Sequence, residues 1–134
     1  MALIGLDTNV LIRTFVRDNA MQTAQVMQMI SRRQETDLFF VNVAVVLEFS
    51  WVLSRFYKYP RAAVLAAVRS LLERRDLEVE HFQIIGDAAA LCEDSKCDYS
   101  DAVIGLVNKH YGCVRTMTFD DKAASSTHGM ELLS

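Results

Sequence analysis

The sequence predicts an α/β fold, with three layers (α/β/α) and a central, mostly parallel sheet of four to five strands. The domain it forms is single and spans 1–134. Two observations predict this. Short apolar segments alternate along the chain with longer segments of helical period, which implies parallel strands with helices on both faces. The length of 134 residues suits one core, and no linker, internal repeat or low-complexity tract divides it.

In chain order, Leu3 to Leu6 reads as a short buried strand, and Asn9 to Val16 as a helix with Thr8 or Asn9 near its cap. Asn19 to Arg33 reads as a second helix, with Met21, Ala24, Met27 and Ile30 as its apolar stripe and Arg32 and Arg33 suited to its negative end. Leu38 to Val41 is a second strand. Asn42 is placed to cap a helix from Val43 to about Tyr57. Pro60, the only proline, falls where the next helix would have its first residue, a position that proline tolerates. Leu77 to Glu80 reads as a third, shorter strand, followed by helices over Ile84 to Glu93 and from about Ser100 to Tyr111, the latter closed by Gly112. Cys113 to Thr118 is a fourth strand. A turn or short helix follows it, then an edge strand over Met130 to Leu133.

Composition narrows the class. Apolar residues make up 51% and charged residues 23% of the chain, as in soluble globular proteins. No apolar run is long enough to span a bilayer, and no basic region precedes an apolar segment at the N-terminus, so neither a membrane span nor a signal peptide is expected. The cysteines Cys92, Cys97 and Cys113 are odd in number and lack zinc-like spacing, which fits a reducing cytoplasm. The net charge of −3 argues mildly against a nucleic-acid binder, but a carboxylate cluster would itself lower the total. Arg55, Lys58 and Arg61 lie close enough in sequence to form a local basic surface.

The acids carry the chemistry. Asp7 ends the first strand, and Glu48 lies among apolar residues in "VVLEFSWVL", two turns before Arg55. Asp98 and Asp101 are three apart in "CDYSDAVIG" and share one helix face if the helix begins at Asp98. Asp120 and Asp121 follow the fourth strand. Each has an ordinary structural role open to it: Asp7 or Asp98 as an N-cap, Asp101 favouring a helix dipole, Asp120 or Asp121 making a turn. Parallel strands, however, bring their carboxyl ends to one edge, where ligands bind in such sheets. Asp7, Glu48, Asp101 and Asp120 would then converge there. Two charges about 5 Å apart repel by roughly 3 kcal/mol at an effective dielectric of 20, so such a cluster needs a cation. Oxygen-only ligands select Mg²⁺ or Mn²⁺, whose chemistry on a phosphodiester is hydrolysis.

Four stretches, "GLDTNVLIR", "VVLEFSWVL", "DYSDAVIG" and "TFDDKAA", in this order and spacing, resemble the PIN domain, and most closely the VapC-type toxins of bacterial toxin–antitoxin pairs. The resemblance spans Leu3 to about Leu133. By position, Asp7, Glu48, Asp101 and Asp120 match the family's four metal-binding acids, with Asp120 preferred to Asp121. Asp98 matches a frequent helper aspartate, and Asn9 and Thr118 match polar positions beside the acids. The resemblance implies a Mg²⁺- or Mn²⁺-dependent ribonuclease acting on transfer or ribosomal RNA, a homodimer, and silencing by a VapB-like antitoxin whose tail places a basic side chain in the acidic pocket. No catalytic histidine is expected, and Trp51, Leu53 and Phe56 read as core or interface. The alternatives are a PIN fold that binds without cleaving, and a Mg²⁺-dependent phosphatase or phosphoryl-accepting receiver. The phosphatase is disfavoured because Asn9 stands where it would want a second aspartate.

Overall fold

Five strands and seven helices form among residues 1–133, which the computed structural model describes. Strand β1 (Leu3–Gly5) leads into α1 (Thr8–Phe15) and α2 (Ala20–Ser31). Strand β2 (Leu38–Val41) precedes α3 (Val43–Arg55) and α4 (Arg61–Glu73), and β3 (Leu77–Val79) precedes α5 (Phe82–Asp94) and α6 (Tyr99–His110). The chain ends in β4 (Thr116–Thr118), α7 (Asp121–Ser126) and β5 (Met130–Leu132).

Short polar side chains start the helices. Asn19 accepts the Gln22 N–H at 3.0 Å and Asn42 the Val45 N–H at 2.9 Å, each satisfying an amide that the helix itself leaves free. At α1 the cap is Asp7 rather than Thr8 or Asn9. Its carboxylate accepts the Thr8 N–H at 2.8 Å. Pro60 stands at the cap of α4, one position before its first helical residue. Helix α2 turns an unexpected face inward. Val26 is buried with Met29 and Ile30 packed on the core, while Met21 is 75% exposed and Met27 is also exposed. Of the expected stripe, Met21, Ala24, Met27 and Ile30, only Ile30 packs on the core, because a period fixes the spacing of a face but not which of two half-apolar faces is covered.

Every strand pair is parallel, as the α/β alternation requires, but the strands divide three and two. β1, β2 and β3 form one sheet in that order, with Ile4 beside Phe39 and Phe39 beside Leu77. β4 and β5 form a second, with Met117 beside Glu131. The core lies over the first sheet, where Phe39 and Val41 meet Phe49 and Leu53 of α3, Val68 and Leu71 of α4, Ile85 of α5 and Val103 of α6. β1, by contrast, is exposed along its whole length.

The corner between α5 and α6 is held from several sides. Arg61 Nη2 donates to the carbonyls of Cys92 at 2.8 Å and Ser95 at 3.0 Å, and also to that of Cys97. The Tyr99 hydroxyl donates to the Ile85 carbonyl at 3.1 Å, and Tyr99, Ala102 and Val103 are buried against α5. No helix among the described residues is long and apolar enough to cross a membrane.

Candidate active site

Three carboxylates meet at one cavity of about 270 Å³ between α6 and α7, lined by Asp98, Asp101, Asp120, Lys122, Ala123 and Ser126. Local structure places each of them. Asp98 is the N-cap of α6 and accepts the Asp101 N–H at 3.1 Å, which puts both acids over one helix end. Asp120 is the N-cap of α7 and accepts the N–H groups of Lys122 at 2.9 Å and Ala123 at 3.2 Å. Its own N–H donates to Thr118 Oγ1 at 3.0 Å, so Thr118 ties the backbone at the head of α7. Asp121 sits in the first turn of α7, exposed and outside the cavity lining.

Asp101 is half-buried, and its carboxyl pKa is raised, first by burial and then by the negative charges of Asp98 and Asp120. That triple is where the sheet and helix termini gather acids. Asp7 and Glu48 are not among the residues that line this cavity. Both are exposed, and Asp7 is engaged in capping α1. Glu48 is exposed although its neighbours in sequence are apolar, and the reason is geometric. Those neighbours (Val45, Val46, Phe49) turn into the core, and Glu48 lies on the opposite side of α3. Asn9 lines a separate cavity between α1 and α2, with Arg13, Gln22 and Val26. Among the described residues no group of three or more His, Cys, Asp or Glu side chains is close enough to hold a metal ion between them.

Basic groups stand beside the acids. Arg55 and Arg61 line a second cavity of about 240 Å³ with Asp98, Ser54 and Trp51, so Asp98 borders both cavities. Lys58 does not line it; it takes a left-handed backbone between α3 and α4, with φ 59°. Lys122 was not legible as a site residue. Its only signal was adjacency to the aspartate pair, and the N-terminus of α7 is what turns it to the cavity. No histidine lines the acidic cavity, and His81 and His110 instead pack edge to face at 5.2 Å.

The family model for the PIN domain matches residues 4–126 of the chain, a span that holds Asp7, Glu48, Asp98, Asp101, Asp120 and Asp121. No curated protein matches it.

Proposed function

The chain belongs to the PIN domain family, and from that premise we propose that it is a Mg²⁺- or Mn²⁺-dependent endoribonuclease, the toxin of a toxin–antitoxin pair. PIN domains are generally metal-dependent nucleases. The observation that carries the reading for this chain is Asp101, a half-buried carboxylate whose neighbours Asp98 and Asp120 add like charge instead of relieving it. A site built for a hard cation wants oxygen donors of this kind, so the donor chemistry fits.

Asp101 and Asp120 would hold the cation together with Asp7 and Glu48. Asp98 and Thr118 would fix their neighbours in place, and Asn9 would steady Asp7 at the head of α1. When bound, the cation lowers the pKa of a coordinated water and offsets charge on the phosphodiester. Lys122, Arg55 and Arg61 would bring the RNA backbone to an otherwise acidic surface, each as a phosphate contact without base preference. Transfer or ribosomal RNA is the substrate class we assign, in the cytoplasm, with a VapB-like antitoxin covering the site and a homodimer as the working form.

Purified protein incubated with total cellular RNA tests the reading. Discrete fragments are expected with Mg²⁺ and none with EDTA, Asp7→Ala or Asp101→Ala. Intact RNA under every condition, from protein freed of any co-purifying partner, would sink it. A second reading, a PIN fold that binds without cutting, draws on Asp7 and Glu48 not lining the acidic cavity. It predicts RNA retention that is independent of Mg²⁺.

A further inference from the structure

Two of the three cysteines meet at the corner where α5 hands over to α6. Cys92 lies in the last turn of α5, and Cys97 directly precedes Asp98, the N-cap of α6. Both are buried, and their sulfurs are 2.9 Å apart, one thiol donating to the other. Four residues separate them in sequence, so a bond between the sulfurs closes a short loop. The backbone of that loop is already fixed. Arg61 Nη2, at the head of α4, donates to the carbonyls of Cys92 at 2.8 Å and Ser95 at 3.0 Å, and to that of Cys97. The Ser95 N–H and hydroxyl both donate to the Leu91 carbonyl, at 3.0 and 2.9 Å, and the hydroxyl also reaches the Cys97 sulfur at 3.3 Å. Apart from that last contact, the bonds end on backbone oxygens, so the loop keeps its shape whether the sulfurs are free or joined. Buried cysteines are common as small apolar residues. This pair differs in that the sulfurs touch while one guanidinium holds both backbones.

We infer that Cys92 and Cys97 are a redox-active pair that a peroxide converts to a reversible disulfide, stapling the end of α5 to the residue before Asp98. The steps balance. The Cys97 sulfur, as thiolate, attacks one peroxide oxygen, the O–O bond breaks, and the departing hydroxide takes up the thiol proton and leaves as water. Cys97 is then a sulfenic acid. The Cys92 sulfur displaces its hydroxyl, which leaves with the Cys92 proton as a second water, and the S–S bond forms. The two thiols lose two electrons, and the peroxide accepts them. A small thiol reverses the bond by exchange. Cys97 starts the sequence because burial and the Cys97 neighbour push the Cys92 pKa up to about 12, which keeps its thiolate scarce. Oxidation of Cys97 takes that neighbouring charge away and frees Cys92 for the second step.

The staple ends one residue short of the acids. Asp98 accepts the Asp101 N–H at 3.1 Å and borders both the acidic cavity and the cavity of about 240 Å³ that Arg61 also lines. That second cavity brings a molecule the size of a peroxide to the loop, while burial closes the sulfurs to bulky reagents. Joining the sulfurs removes the freedom of the corner to open, so Asp98 and Asp101 are held in place. The disulfide itself stands apart from the nuclease reading. Only its consequence for the acidic cavity rests on it: acids already held together bind a cation more tightly, because less freedom is lost on binding.

The test uses the full chain with Cys113→Ser, which removes the exposed thiol and leaves only the pair. The folded protein is treated with hydrogen peroxide, quenched and unfolded, and any remaining thiols are capped with N-ethylmaleimide. The expected product takes up no maleimide and is two hydrogens lighter than the untreated chain. Trypsin cuts after Lys96, between the cysteines, so the disulfide should hold the peptide ending at Lys96 to the one starting at Cys97 until dithiothreitol parts them. The oxidised chain should melt about 5 °C higher and fall back on reduction. Free thiols after peroxide, a sulfinic acid at Cys97 without the cross-link, a disulfide between two chains, or a disulfide that leaves the melting temperature unchanged overturns the proposal. Two further variants check the order of attack. Cys92→Ser should stop at a Cys97 sulfenic acid that dimedone traps, and Cys97→Ser should give no adduct; the reverse overturns that order. Mg²⁺ titration of the melting temperature reads the link to the acids. A midpoint about threefold lower in the oxidised form is expected, and equal midpoints overturn the link. A disulfide in protein that cleaves no RNA upholds the pair and sinks only the nuclease reading, and cleavage by protein that never cross-links does the reverse.

Discussion

Asp98 accepts the backbone N–H of Asp101 at 3.1 Å, so one aspartate caps the helix while the other, a turn on, takes its charge at close range. The Asp101 pKa is raised by burial, then by Asp98 and Asp120. A raised carboxyl pKa means that the fold favours the protonated form. The associated stability is present below the ordinary value and is lost as pH rises through the raised one. At neutral pH the ionised Asp101 is a cost. Asp101→Asn should therefore raise the metal-free melting temperature at pH 7 by about 2–4 °C, a gain kept small because asparagine forfeits the helix-dipole attraction. Below about pH 4 the gain should fade. A mutant that melts no higher than wild type at pH 7 would refute the like-charge account.

Asp98→Ala should do the opposite. It removes the cap of α6 and should cost about 1 kcal/mol, read as a lower denaturation midpoint at unchanged slope. Opposite signs for two aspartates three residues apart would separate structural capping from a strained site.

How much of this was legible follows from the range of each signal. The strands, the helices and the Asn42 cap are local, and sequence reading placed them within a few residues. The acids of "CDYSDAVIG" and "TFDDKAA" were legible because each is fixed by the helix it starts. The exposure of Glu48 was not legible, because apolar neighbours in sequence do not mean apolar neighbours in space. The division of the strands into three and two was not legible, since pairing is non-local and parallel registers leave no turn signature. The reach of Arg61 to three carbonyls more than thirty residues away had no sequence signal at all.

Asp76 should give the acid limb of stability. Arg74 holds it by two bonds, Nε at 3.0 Å and Nη2 at 2.8 Å, and reaches Thr14 Oγ1 at 2.8 Å with its third nitrogen, tying the start of β3 to α1. Burial alone would raise the Asp76 pKa, but the Arg74 hydrogen bonds and charge outweigh it, and the pKa is lowered. A lowered pKa contributes stability above the ordinary value that is lost as pH falls through the lowered one. Asp76→Asn should cost about 1–2 kcal/mol at pH 7, with the difference from wild type closing below about pH 3. A penalty that persists unchanged at low pH would show that the charge is not what matters.

The cysteines should differ in reactivity. Cys92 and Cys97 are buried with their sulfurs 2.9 Å apart, and Cys113 is exposed. Burial and the Cys97 neighbour push the Cys92 pKa up to about 12, so its thiolate is scarce at pH 8. A thiol reagent at pH 8 should label Cys113 fast and leave the other two untouched until the protein is unfolded. Mass spectrometry of early time points checks this, and rapid labelling at Cys92 would mean that the α5–α6 corner opens readily.

Cation binding should reverse the order of stabilities set by Asp101. Without metal the ionised acids repel, and Asp101→Asn is the more stable form. With Mg²⁺ in excess, any site that binds only in the folded state stabilises by mass action, about 2.7 kcal/mol at a concentration one hundred times its Kd. Asp101→Asn keeps one neutral oxygen where wild type offers a charged pair, so its gain should be far smaller. The two melting curves should therefore cross as Mg²⁺ is raised. Ca²⁺ should substitute in this assay, because folding linkage asks only for oxygen coordination and not for the geometry of catalysis. Parallel curves that never cross would place any bound cation away from Asp101, even if Mg²⁺ stabilised both proteins.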